Sequence, residues 1–224
     1  MKSLLYLASA SPRRHELLNQ IGVEHTVLTV PSPPGEDEPR QANETPLEYV
    51  KRTAQEKANR AQTWVAKEKV KLFPTSSNQS IGILTADTTV ALEDLVLGKP
   101  SDHDHAAYIL RLLSGKTHTV YTALVLSETF INRPSEISDC LKRDEERYKW
   151  NQWSALSTTF VSFGTLTQLD IYEYISTGEP FGKAGAYGIQ GYAARFIRKI
   201  EGSYSGVMGL PLFETGELLK QRNQ

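Results

Sequence analysis

A chain of 224 residues, 39% apolar and with a formal net charge of −1, can bury a real core within one large domain or two small lobes, and its charge excludes a general binder of nucleic acid or anionic membrane. The single cysteine, Cys140, excludes an internal disulfide framework and a multi-cysteine zinc site, and its charged surroundings make it a bystander thiol. No apolar run approaches the ~18 residues of a membrane span, and residues 4–10 are too short for a signal peptide, so a soluble cytoplasmic protein is expected.

Residues 4–8, LLYLA, read as a short apolar strand. Ser9-Ala10-Ser11-Pro12-Arg13-Arg14 follows, and then a helix to Ile21 with Leu17, Leu18 and Ile21 at helical spacing. Ser11 suits an N-cap and Pro12 the first helical position, while Gly22 ends the helix. Two arginines in a first turn oppose the helix dipole, which favours acids there. Together with open N–H groups and serine hydroxyls they describe an anion site. Residues 23–30 read as a second strand, and residues 31–40, PSPPGEDEPR, as a proline-rich acidic loop in which Glu36, Asp37 and Glu38 could serve a metal or a lid.

Thr45-Pro46-Leu47-Glu48 is a capping box with proline at the first helical position. The helix it opens buries Leu47, Val50, Ala54, Ala58, Ala61 and Val65, and Lys57 falls on that apolar stripe, where it either snorkels outward or points into a cleft. Residues 66–80 are a polar connection.

The stretch 81–100, IGILTADTTVALEDLVLGKP, organises the chain. Its apolar run, Ile81, Ile83, Leu84 and Ala86, predicts a buried strand ending at Asp87, with a further β-rich piece at 90–92 and a return through Gly98, Lys99 and Pro100. A carboxylate at a strand end is costly to bury and well placed for chemistry, because sites in α/β sheets collect at the carboxyl ends of strands. Lys99 on the returning strand adds a phosphate-binding cation.

Ser101-Asp102 caps a helix to Leu113 with Ala107, Ile109, Leu110 and Leu113 inward; His103 and His105 point about 200° apart on it and cannot share a metal. Residues 114–117, SGKT, fail as a P-loop, since Leu110 stands where the first glycine belongs and a helix precedes them. A long strand is expected at 117–126, an excursion of balanced charge at 127–153, and a return strand at 154–163. A short helix at 167–176 carries Leu169, Ile171, Tyr172 and Ile175. In residues 179–191, EPFGKAGAYGIQG, glycines recur every three positions, an arrangement that lets a ligand approach the backbone, with Lys183 as cation and Gln190 as a two-sided amide. A strand at 194–200 and a terminal helix at about 211–220 complete the chain.

These pieces suit a polyphosphate substrate whose charge is shielded by a divalent cation. SASPRR after the first strand, QEKA at 55–58, TADTTV, the GKP return and KAGAYGIQG followed by FIRKIEGSYSGVMGLPL resemble the Maf family of nucleoside triphosphate pyrophosphatases, over roughly residues 3–126 and 154–216. The resemblance implies a single α/β domain, with a mixed sheet, flanking helices and two lobes around a nucleotide-binding cleft, as in inosine triphosphatases. It implies a possible homodimer, a Mg or Mn cofactor and cleavage between the α- and β-phosphates. It implies Asp87 as the catalytic base or a metal ligand, with Glu38 as a second metal ligand. Ser9, Arg13, Arg14, Lys57, Lys99 and Lys183 would hold phosphates. Arg13, Thr88 and Gln190 would choose the base, and Thr and Gln here match the branch that takes dTTP and UTP. The excursion at 127–153 departs from the family, where a short hairpin is usual. Two rival readings are a pyrophosphatase for inosine or 7-methylguanosine triphosphates and a non-enzymatic regulator of cell division that binds nucleotide or nucleic acid, the near-neutral charge arguing against wide nucleic-acid contact; the main reading expects a nucleoside triphosphate as partner, no membrane and no stable nucleic-acid partner.

Overall fold

A computed structural model describes residues 4–31, 39–67, 80–130 and 149–222. Strand β1 (Leu4–Leu7) leads into helix α1 (Pro12–Gln20) and the two-residue strand β2 (Thr26–Val27). Helix α2 (Pro46–Lys67) precedes the long strand β3 (Ser80–Leu92), the short return β4 (Leu95–Leu97) and helix α3 (His103–Leu113). Strands β5 (Thr117–Phe130) and β6 (Asn151–Phe163) follow, then helix α4 (Gln168–Ser176), two 3₁₀ turns at Ala184–Ala186 and Tyr192–Phe196, strand β7 (Ile197–Glu201), and helices α5 (Tyr204–Val207) and α6 (Leu212–Arg222).

The described strands form one mixed sheet in the order β2-β1-β3-β5-β6-β7, with β4 on the edge of β3. β1 runs parallel to β2 and β3, and the other pairings are antiparallel. Alternation along β3 and β5 supplies a hydrophobic set to each face. On one face the small residues Ala54 and Ala58, with Val50, let α2 lie close on Ala123 and Val125 of β5, and its next turns, Ala61 and Val65, cover Tyr6, Ile81 and Ile83. The other face, Leu84, Ala86, Val90, Leu124 and Leu126, builds the larger core with Leu17 and Leu18 of α1, Ile109, Leu110 and Leu113 of α3, Ile171, Tyr174 and Ile175 of α4, and Leu218 of α6. Both are α/β layers of the expected class.

Five expectations change. β3 does not stop at Asp87, because its β-branched TADTTV stretch keeps pairing with β5 from Ser80↔Phe130 to Ala91↔Thr119. The expected strand at 23–30 shrinks to Thr26–Val27. The start and end of the predicted excursion are regular ladder, with Glu128 opposite Asn151, while residues 131–148 lie outside the described residues. On α4, Leu169 and Tyr172 are exposed and Tyr174 takes the buried position; the strand placed at 194–200 begins only at Ile197, after a 3₁₀ turn.

Two features anchor element ends, one at the start of α2 and one near the end of α6. The capping box forms as expected, with Thr45 Oγ1 accepting from Glu48 N and Glu48 Oε2 accepting from Thr45 N. Near the end of α6, Arg222 donates to Glu128 Oε1 at 2.8 Å and to Leu4 O at 2.8 Å, and both charged side chains are almost fully buried. A Cβ at Gly82 would stand 2.6 Å from Arg222 Cζ, so glycine makes the room for this ion pair.

Candidate active site

The site lies where the edge of β3 is left open. β1 pairs with β3 only as far as Leu7↔Leu84, and the Ala8 N–H adds a last bond to Leu84 O at 2.9 Å. The chain then turns away through Ser9-Ala10-Ser11-Pro12, and proline cannot extend the ladder. β4 takes up the same edge only from Val90, returned by a turn in which Glu93 has φ +54°. Residues 85–89 therefore have a strand partner on the β5 side alone among the described residues, and Asp87 is at the middle of that window. The crevice that the missing edge leaves is where α/β sheets bind ligands. It opens into a cleft of about 570 Å³, a size suited to a small molecule.

Asp87 and Thr88 are consecutive and face opposite sides of the strand. Asp87 turns toward α2, where Lys57 Nζ donates to Oδ1 and Thr53 Oγ1 donates to Oδ2 at 2.6 Å. Thr53 carries one hydroxyl proton and also lies 3.0 Å from Tyr49 O, so the shorter, charge-assisted contact to Asp87 takes it. Lys57 thus points into the cleft and does not snorkel to solvent. The hydroxyl of Thr88 turns to the other side, 3.0 Å from Thr122 Oγ1, and accepts from Arg14 at 3.3 Å.

Arg14 is a brace. Its Nε donates to Gly209 O at 2.7 Å, one terminal nitrogen to Ser9 Oγ at 3.2 Å and the other to Thr88 Oγ1, tying α1 to β3 and to the turn between α5 and α6. Burial lowers its pKa from the ordinary arginine value, while the charge of Asp87 opposes that shift and Arg13 adds to it. Ser9 Oγ also accepts from Ser11 N at 3.2 Å, and the Ser11 side chain makes no cap to α1, so the helix start faces the cleft without a protein cap from that residue. Arg13, Lys99 and Lys183 line the cleft with them, as do two residues that sequence reasoning missed, Tyr49 and Arg60. Arg60 stands one turn past Lys57 on α2, a signal that its i+3 spacing carried.

Gln190 is exposed and is not among the residues lining the cleft. The glycines around it have a different use from the one expected. A Cβ at Gly191 would meet Glu179 Oε2 at 2.1 Å, one at Gly188 would meet Lys183 Cε at 3.2 Å, and Gly185, at φ +71°, stands against Val90. They let the loop close on the protein's own side chains. Glu38, with Glu36 and Asp37, lies outside the described residues. Among the residues lining the described cleft Asp87 is the one carboxylate, and no group of three or more metal-ligating side chains occurs among the described residues.

The chain matches the family described as Maf-like protein over residues 4–222. It belongs to the Maf-like family. Proteins bearing the name dTTP/UTP pyrophosphatase are similar along nearly the whole length. The one from Bordetella avium is 49% identical over 217 residues, 97% of this chain and 94% of that protein. Those from Escherichia coli O157:H7 and Cupriavidus pinatubonensis are 44% and 43% identical over 98% and 99% of this chain, covering 93% and 98% of their own lengths. As a Maf-like protein the chain brings residues of its quoted motifs to the walls of one cleft: SASPRR, Lys57 of QEKA, residues 86–90 of TADTTV, Gly98 and Lys99 of GKP, and Lys183, Ala184 and Tyr187 of KAGAYGIQG, whose Gln190 is not among them. No helix among the described residues is long and apolar enough to cross a membrane.

Proposed function

We propose that this protein hydrolyses nucleoside triphosphates, dTTP and UTP foremost, to the monophosphate and pyrophosphate. The observation that carries the reading is a carboxylate, Asp87, held by Lys57 and Thr53 in a cleft ringed by Arg13, Lys99 and Lys183. The relatives' shared name supplies the nucleotides. A triphosphate carries several negative charges, and a cationic cleft both binds them and offsets the charge that builds on the leaving pyrophosphate. Lys57 and Thr53 fix the direction of the Asp87 carboxylate, which takes a proton from the attacking water as its oxygen bonds to phosphorus and the α–β bridging bond breaks.

A divalent cation, Mg or Mn, fits this donor set. A carboxylate offers about four lone-pair positions, and Lys57 and Thr53 occupy two, so Asp87 can still give a ligand while phosphate oxygens and water complete the shell. Glu38 is proposed as a further ligand. When bound, the cation would neutralise phosphate charge. The same reading has the enzyme act in the cytoplasm, where free nucleotides are, with a homodimer possible and no stable nucleic-acid partner, in keeping with its net charge of −1. Base choice is assigned to Arg13, Thr88 and Gln190, and it requires Gln190 to move to the cleft when nucleotide binds. A panel of nucleotides tests the reading: dTTP and UTP should be cleaved at least about tenfold faster than CTP, ITP and 7-methyl-GTP. Faster cleavage of ITP or 7-methyl-GTP would move the protein to a purine branch.

A further inference from the structure

Glu179 stands at the start of the glycine loop and none of the roles above uses it. Its carboxylate accepts from Tyr174 OH at 3.0 Å, from Tyr192 N at 2.7 Å and from Ala193 N at 3.4 Å, and its backbone carbonyl accepts from Lys183 Nζ. Its own N–H donates to Thr177 Oγ1 at 3.1 Å, which fixes it to the end of α4. The loop from Gly182 to Ala193 winds round this one group. A Cβ at Gly191 would stand 2.1 Å from Oε2, and one at Gly188 would crowd the Lys183 stem at 3.2 Å. The phenol of Tyr174 accepts from Gly188 N at 3.3 Å, so the Glu179–Tyr174 pair holds the middle of the loop as well as its end.

The adjoining stretch of the cleft wall depends on the same loop. The Gly185 N–H donates to Gly98 O at 3.1 Å, next to Lys99, and Gly185 packs on Val90 of β3. Lys183 and Lys99 are thus parts of one wall, and Glu179 is the post that holds it.

We infer that Glu179 is a positioning residue that sets Lys183 and the loop against the substrate's phosphates without touching substrate itself. This rests on the triphosphate reading above. Two influences pass from Glu179 to Lys183. One is geometric, through the carbonyl that holds the ammonium. The other is electrostatic: burial lowers the Lys183 pKa from the ordinary lysine value, Arg13 from α1 lowers it further, and the Glu179 charge opposes both.

Glu179→Gln separates these effects from simple loosening of the fold. The amide keeps the length and one acceptor but drops the charge. With dTTP or UTP, KM should rise roughly tenfold while kcat stays within about threefold. Without the Glu179 charge the Lys183 proton is lost at lower pH, so the alkaline limb of the KM profile should move toward acid. Tyr174→Phe is the milder variant. It removes one donor to Glu179 and leaves the charge, so KM should rise about twofold to threefold with the alkaline limb in place. Unchanged KM and an unchanged alkaline limb in folded Glu179→Gln overturn the inference, and if that variant does not fold, an unchanged KM in Tyr174→Phe does so. Wild-type protein that cleaves neither nucleotide would instead defeat the triphosphate reading, and binding of α,β-methylene-UTP by wild type and variants then decides the role of Glu179 by the same expected loss of affinity.

Discussion

Lys57, in the middle of α2, donates to Asp87, in the middle of β3, and the hydroxyl of Thr53 one helical turn earlier holds the other carboxylate oxygen. Ala54 and Ala58 of α2 pack on Ala123 and Val125 of the neighbouring β5, and Ala61 packs with Ile81 and Ile83 of β3, so the helix lies close on the sheet and the carboxylate has a defined direction. Thr53 is almost completely buried. Thr53→Val keeps its shape and removes the donor. Turnover should fall roughly tenfold to a hundredfold, the effect of one charge-assisted hydrogen bond of about 1.5–3 kcal/mol acting on the base, while the fold loses no more than about 1 kcal/mol. Steady-state kinetics beside urea unfolding separates the two.

Lys99 is exposed on the cleft wall. Lys99→Ala should raise KM for a triphosphate roughly tenfold or more and change stability by less than about 0.5 kcal/mol, as for most surface substitutions. A variant that melts much earlier and turns over normally would make Lys99 a structural residue.

The Arg222–Glu128 pair gives the opposite pattern. Its side chains are 5% and 4% exposed, so removal of one partner leaves a buried charge alone. Arg222→Ala should destabilise by about 3–5 kcal/mol. Gly82→Ala should also destabilise, because its methyl group meets the guanidinium. Denaturant unfolding of both variants checks the pair; loss of less than about 1 kcal/mol in Arg222→Ala would show that Glu128 finds another partner.

His118 sits in the core against Phe163 and Tyr187, with Nε2 2.8 Å from Tyr187 OH and Nδ1 unpaired. Burial lowers its pKa from 6.5 to about 4. The unfolded chain therefore takes up this proton first as pH falls. The stability that His118 contributes is present above 6.5 and is lost progressively as pH drops toward about 4, by about 3 kcal/mol at most. His118→Gln should be less stable at pH 7 and should show a shallower decline between those pH values. Melting temperatures across that range check it, and equal slopes in both proteins would contradict it.

Much of this architecture was legible locally. The Thr45–Glu48 box, the apolar stripe of α2 and the β-branched run of β3 are short-range signals, and each produced its element. Asp87 stands out in the sequence for a partly wrong reason. β3 runs on past it, and what ends there is the neighbouring strand, a fact about the β1 edge that residues 81–92 do not contain. The glycine spacing was visible, but its cause is Glu179, Lys183 and Val90, and contacts folded back onto the loop leave no periodic trace. Arg14 was picked out by its conflict with the helix dipole; that Gly209, 195 residues away, uses it could not be read from any window. Gly82 and Arg222 are the same case, a small residue and a cation that make sense only together.

Asp87 is proposed to serve hydrolysis at the α–β phosphoanhydride. The most direct measurement is product analysis of UTP with wild-type protein and Asp87→Asn, in the presence of Mg or Mn. Wild type should release UMP and pyrophosphate in equal amounts, and the folded variant should turn over about 10²–10⁴-fold more slowly, the range for a lost general base. Release of inorganic phosphate with UDP, or a folded Asp87→Asn that keeps more than about a tenth of wild-type turnover, would contradict it.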